Sequence, residues 1–398
     1  MNSVIGVTRA DIVIVGGGVT GLSLAFELAR LGRRDIVVLE RRFTGAGGSG
    51  RNVGRIRAMQ LTEELARFAI AAQTKHAALA DELGANTLFW RAGYGWVLYE
   101  EPEMTRMAEV RDMLRGLALS PELVGTAETL RRLPVLAGGE RPAGALFHRD
   151  AIVHHDAVLY AYRAACRRFG VHLIEDCEAI EPLVSGREIA GVKTASGDIR
   201  APIVVNAAGG WSAAFSARAG VSIPNTPLRR EALVTEAARP FMQAAITFYR
   251  PSEGWFNQTL RGELVAGCLA PAEAPGVNLA ASARSLGRTA RTILAKAPRL
   301  GHLRVVRQWA GVYDMTPDRK PMVGPMSRLS GFVQANGCNG RGFLLGPLIG
   351  ELLARWLDSG ERPALLAGFD ANRFEGRDDV KVETGDYYAG YTAAGRKP

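Results

Sequence analysis

The first forty residues carry the clearest pattern of apolar and polar positions. After Asp11 the chain reads Ile12-Val13-Ile14-Val15, a short unbroken apolar run of the kind that forms a strand buried on both faces. Gly16-Gly17-Gly18-Val19-Thr20-Gly21 follows. Leu22, Leu24, Ala25, Leu28 and Ala29 then recur at helical spacing up to Gly32, a natural stop. Asp35 to Leu39 is a second apolar strand and closes on Glu40. These lengths suit a right-handed parallel crossover.

Further along, the periodicity predicts a long amphipathic helix over 62–83, with Thr62 as its N-cap. The stretch from Asn86 to Leu146 is mixed and holds a second helix near Met104–Leu117, and Asp156 to Phe169 is again helical. Ser185-Gly186-Arg187 and Ser196-Gly197-Asp198 are turn signals between short alternating strands. Ile203-Val204-Val205-Asn206 is a buried strand leading into Ala207-Ala208-Gly209-Gly210. Residues 228–306 are strand-rich, with a helix near Ala281–Lys296, and a last helix spans Leu344–Leu357. No internal repeat or low-complexity linker is visible.

Elements suited to a nucleotide therefore lie near the start, middle and end of the chain. The expected fold class is α/β: a discontinuous Rossmann-like domain from 1–85, 146–227 and 307–373, with a mixed-sheet α+β substrate or lid domain from 86–145 and 228–306. The tail, 374–398, lacks periodicity and is expected to lie extended on a neighbour.

The 398 residues, 47% hydrophobic and 22% charged, exclude a disordered or collagen-like chain. Net charge is +9, with 43 of the 49 basic residues arginine. They are spread evenly, which disfavours nucleic acid and favours anionic substrates or an acidic partner protein. The four cysteines, Cys166, Cys177, Cys268 and Cys338, show no metal or redox spacing, as in a reducing compartment. No charged-then-apolar leader and no apolar run of about 20 residues is seen, so a cytoplasmic protein without a membrane span is expected. The six histidines lack metal-ligand spacing, and no G-x-S-x-G elbow occurs.

Gly16, Gly18 and Gly21 match G-x-G-x-x-G, with Val19 and Thr20 between the last two. The first glycine permits the tight turn, the second lets backbone approach a pyrophosphate, and the third allows close helix packing. Glu40, beside Arg41, sits where a carboxylate accepts from ribose hydroxyls. An acid there disfavours a 2′-phosphate, leaving FAD or NAD. Three further loops bear on that choice: one with Ser49, Gly50, Arg51 and Asn52, one with Ala208, Gly209 and Trp211, and one with Gly340, Arg341, Gly342 and Phe343. Any one of them alone is an ordinary turn. Together they suit an extended dinucleotide carrying a bulky ring.

With these motifs, Arg55-Ile56-Arg57, His155-Asp156-Ala157-Val158 and Trp309 to Asp318, the chain from about Asp11 to Phe374 resembles the D-amino-acid oxidase superfamily of FAD enzymes. Within it, the chain looks most like the β subunit of heteromeric sarcosine oxidase and the related hydroxyproline, proline and opine dehydrogenases. The resemblance implies that Arg57 holds a substrate carboxylate, with Arg55 a weaker candidate for the same pocket. It implies that Gly340, Gly342 and Phe343 approach the flavin pyrimidine edge. Gly311 stands where monomeric sarcosine oxidases carry a flavin-linking cysteine, so the FAD is expected to be non-covalent. Leu344 replaces a lysine that helps many relatives bind carboxylate, which points away from sarcosine itself. His155 aligns with the histidine that bears FMN at a subunit interface, with or without a covalent bond here.

The expected function is oxidation of the C–N bond of a secondary-amine amino acid, with electrons leaving through FMN to an α subunit. Two alternatives stay open: a stand-alone glycine-oxidase-like enzyme, and a non-catalytic flavin-bound assembly protein.

Overall fold

The computed structural model describes residues 6–249, 254–269 and 273–377. Its helices are α1 (Val19–Arg30), α2 (Glu63–Leu83), α3 (Glu101–Gly116), α4 (Thr126–Arg132), α5 (His155–Arg168), α6 (Ser212–Ala217), α7 (Ala283–Lys296) and α8 (Gly342–Ser359).

Ile12–Val15 lies at the middle of a six-stranded sheet, paired in parallel with Ile36–Leu39 on one side and Ile203–Asn206 on the other. Phe332–Asn336 extends the sheet in parallel beyond Ile203–Asn206, Met322–Pro325 forms one edge antiparallel, and His172–Ile174 forms the other. The unbroken apolar runs have a plain cause, since both faces of the sheet are covered. Ile12, Ile14, Ile36 and Val38 pack under the helices, with Leu22, Phe26 and Leu345. Val13, Val37 and Leu39 pack on the other side against Ile189, Val192 and Ile199 of an antiparallel three-stranded meander, Ala179–Ser185, Glu188–Thr194 and Gly197–Arg200.

Helices α1 and α8 meet through small residues. A Cβ on Gly350 would stand 2.2 Å from Ser23 Oγ, and one on Gly346 would stand 2.7 Å from Thr20 Oγ1. Ser23 Oγ donates to the carbonyl of Pro347 across this contact, at 2.8 Å. Nearby, buried Lys75 of α2 reaches Glu27 at 2.7 Å, Glu82 at 2.5 Å and Glu351 at 2.9 Å, tying α1, α2 and α8 together.

The second sheet has eight strands, in the order Val305–Met315, Thr226–Ala237, Glu263–Cys268, Gly254–Gln258, Ala245–Phe248, Tyr94–Leu98, Gly144–His148 and Glu122–Gly125. Its pairings are antiparallel except for Ala245–Phe248 beside Tyr94–Leu98. Side chains alternate across it: Tyr94, Trp96 and Leu98 join the larger core, whereas Val97, Ile246 and Phe256 pack with Ile293 of α7. Two strands, Gly144–His148 and Val305–Met315, run across the sequence divisions drawn at 146 and 307. Arg55–Ile56 pairs with Ala151–Ile152 at the junction of the two sheets.

Several local expectations shift. The helix expected near Met104–Leu117 begins at Glu101, because Pro102 suits its first turn and Glu103 Oε2 accepts the N–H of Glu100 at 3.1 Å. Thr62 is the N-cap of α2 by position, but its hydroxyl makes no cap; Glu63 and Glu64 complement the helix start instead. Helix α4 is an element the sequence pattern did not reveal. At the tail, Phe374 packs partly against the second core and Arg373 pairs with Asp318 at 2.8 Å. The expectation of an extended tail on a neighbour concerns residues 378–398, which lie outside the described residues. Among the described residues, no helix is long and apolar enough to cross a membrane.

Candidate functional site

A cavity of about 410 Å³ begins at the C-terminal ends of Ile12–Val15 and Ile203–Asn206 and reaches the inner face of the eight-stranded sheet. Its size falls in the range of small-molecule sites. Gly16, Gly18, Val19 and Thr20 line it at the start of α1. Gly16 has φ 116°, and a Cβ there would meet the Ala207 carbonyl oxygen at 2.5 Å, so this turn accepts only glycine. Gly21 stands off the cavity wall and gives α1 close packing, since its Cβ would meet Gly16 O at 2.1 Å. Helix α1 has no side-chain cap and no acid in its first turn, which leaves its N-terminal N–H groups suited to an anion. Val19 N donates to Ser49 Oγ at 2.9 Å.

Glu40 lines the same cavity. Its carboxylate accepts from Gly17 N and Arg42 N, each at 3.0 Å. Burial pushes its pKa up, opposed by these two N–H groups and by Arg41. The Arg41 guanidinium lies 4.2 Å from the centre of the Trp211 ring. Arg51 donates to Ala46 O and Ala310 O, each at 2.9 Å, while Asn52 bonds Ser49 O. Ala208, Gly209 and Gly311 complete this end of the wall.

The loop before α8 forms the next stretch. Gly340 has φ 77°, and a Cβ there would stand 2.4 Å from the Tyr313 ring. Asp314, partly buried in the cavity wall, accepts from backbone N–H groups at Gly337, Cys338 and Asn339, and burial pushes its pKa up to about 6. Arg341 is the N-cap of α8 and donates to Arg319 O at 3.1 Å. Like α1, α8 has neither a side-chain cap nor an acid in its first turn. Gly342, Phe343 and Leu344 line the cavity there, with Leu344 itself 4% exposed.

At the far end, Arg55 and Arg57 enter from the junction strand. Arg55 donates to Asn257 Oδ1 and Thr247 Oγ1, each at 3.1 Å, and to Ile246 O at 3.3 Å. Its guanidinium lies 4.7 Å from the Trp255 ring centre. Arg57 donates to Tyr94 Oη at 3.2 Å. The backbone behind it is pinned by buried Asp150, which accepts from Ala58 N at 2.8 Å. Tyr94, Thr247, Trp255 and Arg230 line the cavity and were not singled out from sequence. They come from separate strands, where Trp255 sits opposite Thr247 and Arg230 opposite Gly311. Strand alternation is the only local signal they carry.

Besides Gly21, two expected contacts lie off the cavity wall. Gly50 closes the turn of the second glycine loop, where its N–H bonds Gly45 O at 2.9 Å. His155 opens α5, its ring stacked on His154 at 5.4 Å and set edge-on behind Phe343 at 6.4 Å. Burial lowers its pKa, opposed by Asp156, whose carboxylate is 3.4 Å away.

Two acid-free helix starts, a cradle that a Cβ would fill and a carboxylate at the end of the second strand fit a dinucleotide cofactor in one connected cavity.

Residues 11–356 match the family model described as DAO, FAD dependent oxidoreductase. The chain is similar to the sarcosine oxidase subunit beta of Rhodobacter capsulatus, at 27% identity over 92% of this chain and 89% of that one. It is similar in structure to L-proline dehydrogenase from P. horikoshii, with a TM-score of 0.86 and 26% identity over 94% and 99% of the two chains. Glycine oxidase from Geobacillus kaustophilus superposes with a TM-score of 0.84, at 26% identity over 92% and 99%.

Proposed function

Because the chain belongs to the DAO family of FAD-dependent oxidoreductases, we propose that it oxidises the C–N bond of a secondary-amine amino acid of the N-alkyl, proline or opine type. A hydride leaves the carbon beside nitrogen and the N–H proton passes to water as the C=N bond forms. Water then adds to the imine carbon and breaks its bond to nitrogen, giving an amine and a carbonyl group, both in one molecule where the substrate is a ring. Bound FAD supplies the acceptor for that hydride. The observation that carries this reading is the placement of Arg57 in the same cavity as the first turn of α8.

Arg57 holds the substrate carboxylate through its planar guanidinium, which matches two oxygens at once. Arg55, tied to the eight-stranded sheet, is a fixed second cation beside it. The aromatic walls at Tyr94 and Trp255 exclude water and orient the C–H bond. Leu344 offers no ammonium group, so a larger or differently anchored substrate than sarcosine is favoured. On the cofactor side, Gly16, Gly18, Val19 and Thr20 take the pyrophosphate and Glu40 the ribose, flanked by Arg41. Ser49, Arg51 and Asn52, with Ala208, Gly209 and Trp211, cover the dinucleotide. Gly340, Arg341, Gly342 and Phe343 meet the flavin. With Gly311 in the wall, the FAD is non-covalent. The six-stranded sheet is then the cofactor unit and the eight-stranded sheet the substrate unit.

We further read the chain as the β subunit of a heteromeric enzyme, with FMN near His155 at the contact with an α subunit. Its similarity to a named subunit beta supports this. Similarity to glycine oxidase supports the stand-alone alternative. The free, buried cysteines suit the cytoplasm we assign to it. An anaerobic screen of flavin bleaching with N-alkyl amino acids, proline derivatives and opines tests the reaction. If none bleaches the flavin, the assembly-protein reading takes its place. Flavin stoichiometry separates the other two: FAD plus FMN supports the β-subunit reading, and FAD alone supports the stand-alone enzyme.

A further inference from the structure

Helix α8 contains a proline at 347, six positions into the helix. Proline has no N–H, so the carbonyl of Phe343, four residues earlier, loses its helical donor. A buried carbonyl left in that state costs free energy. The donor comes instead from another helix. His76 of α2, fully buried, places Nε2 at 3.0 Å from Phe343 O and 3.1 Å from Leu344 O. Two carbonyls as partners require Nε2 to carry the proton, while Nδ1 has no hydrogen-bond partner. Burial holds the ring's pKa down to about 4, so it remains a neutral, permanent donor at physiological pH.

The peptide groups that His76 grips belong to the turn whose other side faces the cavity. The first helical bond of α8 runs from Leu345 N to Arg341 O at 2.9 Å. The N–H groups of Gly342, Phe343 and Leu344 therefore precede the helical ladder, and these residues line the cavity. A donor on the oxygen of a peptide group polarises its N–H, and such chains reinforce one another.

We propose that His76 is a positioning residue for the flavin: it replaces the donor that Pro347 removes, fixes the first turn of α8 against α2, and strengthens the Leu344 N–H, which shares a peptide group with Phe343 O and precedes the helical ladder. The proposal rests on the cofactor half of the functional reading, FAD against α8, and not on the amino-acid substrate.

The test measures FAD dissociation and the flavin midpoint potential under chemical reduction, so it holds whether or not any amino acid is oxidised. His76→Leu is expected to weaken FAD at least about tenfold and to make the potential more negative, because the reduced flavin loses stabilising donors. His76→Gln, which places an N–H near the position of Nε2, is expected to keep both values. Pro347→Ala gives Phe343 O back its helical N–H, so His76→Leu in that background is expected to cost less than about threefold. A folded His76→Leu protein with unchanged FAD affinity and potential overturns the proposal. So does an equal loss in the two backgrounds. If His76→Leu does not fold in either background, His76→Gln decides: unchanged values support the proposal and displaced values overturn it.

Discussion

The guanidinium carbon of Arg57 lies 4.9 Å from the centre of the Trp96 ring. Tyr94, two residues earlier on the same strand face, presents its ring at 5.1 Å and its hydroxyl at 3.2 Å. The cation is thus held against two π faces, where its attraction for them is worth about 0.5–2 kcal/mol. From that aromatic surface its planar guanidinium fork lines the cavity.

Removing that fork should be felt in binding. Arg57→Ala is expected to weaken carboxylate substrates by roughly 2–5 kcal/mol, read from anaerobic titration of the flavin band. Arg57→Lys should recover little of the loss, because an ammonium group neither stacks on Trp96 nor bonds two oxygens in one plane. An unchanged affinity in Arg57→Ala would remove this residue from the pocket.

The contact between α1 and α8 predicts a steric effect far from any ligand. Gly350→Ala would place a Cβ 2.5 Å from Leu24 N, so backbone must move rather than a side-chain tip. Overpacking of this kind costs about 1–3 kcal/mol, and urea unfolding should show it. FAD affinity should fall as well, since both helix starts line the same cavity.

Lys75 bonds Glu27, Glu82 and Glu351 together, while Arg30 reaches Glu27 and Glu82 and Arg355 reaches Glu351 from the surface. Lys75→Met leaves buried Glu27 and half-buried Glu82 and Glu351 without their ammonium partner but with surface arginines in reach, at an expected cost of about 3 kcal/mol. Burial lowers the lysine pKa, but hydrogen bonds to the three glutamates outweigh it and the net direction is upward from 10.5. The stabilisation is therefore complete below about pH 10 and disappears as pH climbs through the raised value. Thermal melts from pH 8 to 12 should show an alkaline decline in the parent protein that is shallower in Lys75→Met.

Asp314 predicts a slope of the opposite origin. Its pKa rises from 3.8 to about 6 on folding, chiefly through burial, so the folded protein binds the proton more tightly than the unfolded chain. Stability should fall as pH rises between about 4 and about 6, by roughly 3 kcal/mol for the full displacement. Asp314→Asn should flatten that segment of the stability profile. A profile identical to the parent's would show that another group sets the slope.

Much of the glycine-rich end of the cavity was legible because its signals are local. Val15, Gly16, Gly18 and Glu40 fall within one strand–helix–strand unit, where apolar runs, glycines and a terminal acid follow fixed spacings. The far end of the cavity is different in kind. Tyr94, Thr247 and Trp255 meet only because Ala245–Phe248 pairs in parallel with Tyr94–Leu98, a pairing that no neighbouring residue announces. His76 was hidden for a related reason: within α2 it reads as an ordinary core residue, and its meaning depends on a proline far along the chain. Gly50 and His155 show the converse limit, since a motif marks a neighbourhood without saying which members touch the cavity.

The interleaved strand order of the six-stranded sheet sets a timetable for biogenesis. Ile12–Val15 and α1 leave the ribosome early, yet their neighbours Ile203–Asn206, Phe332–Asn336 and α8 are synthesised much later. Until then α1 has α5 beside it, but the small-residue face that packs on Gly346 and Gly350 has no cover, a state that invites aggregation and chaperone capture. Pigment uptake therefore waits for α8, and a message truncated before Gly342 should yield colourless, insoluble product.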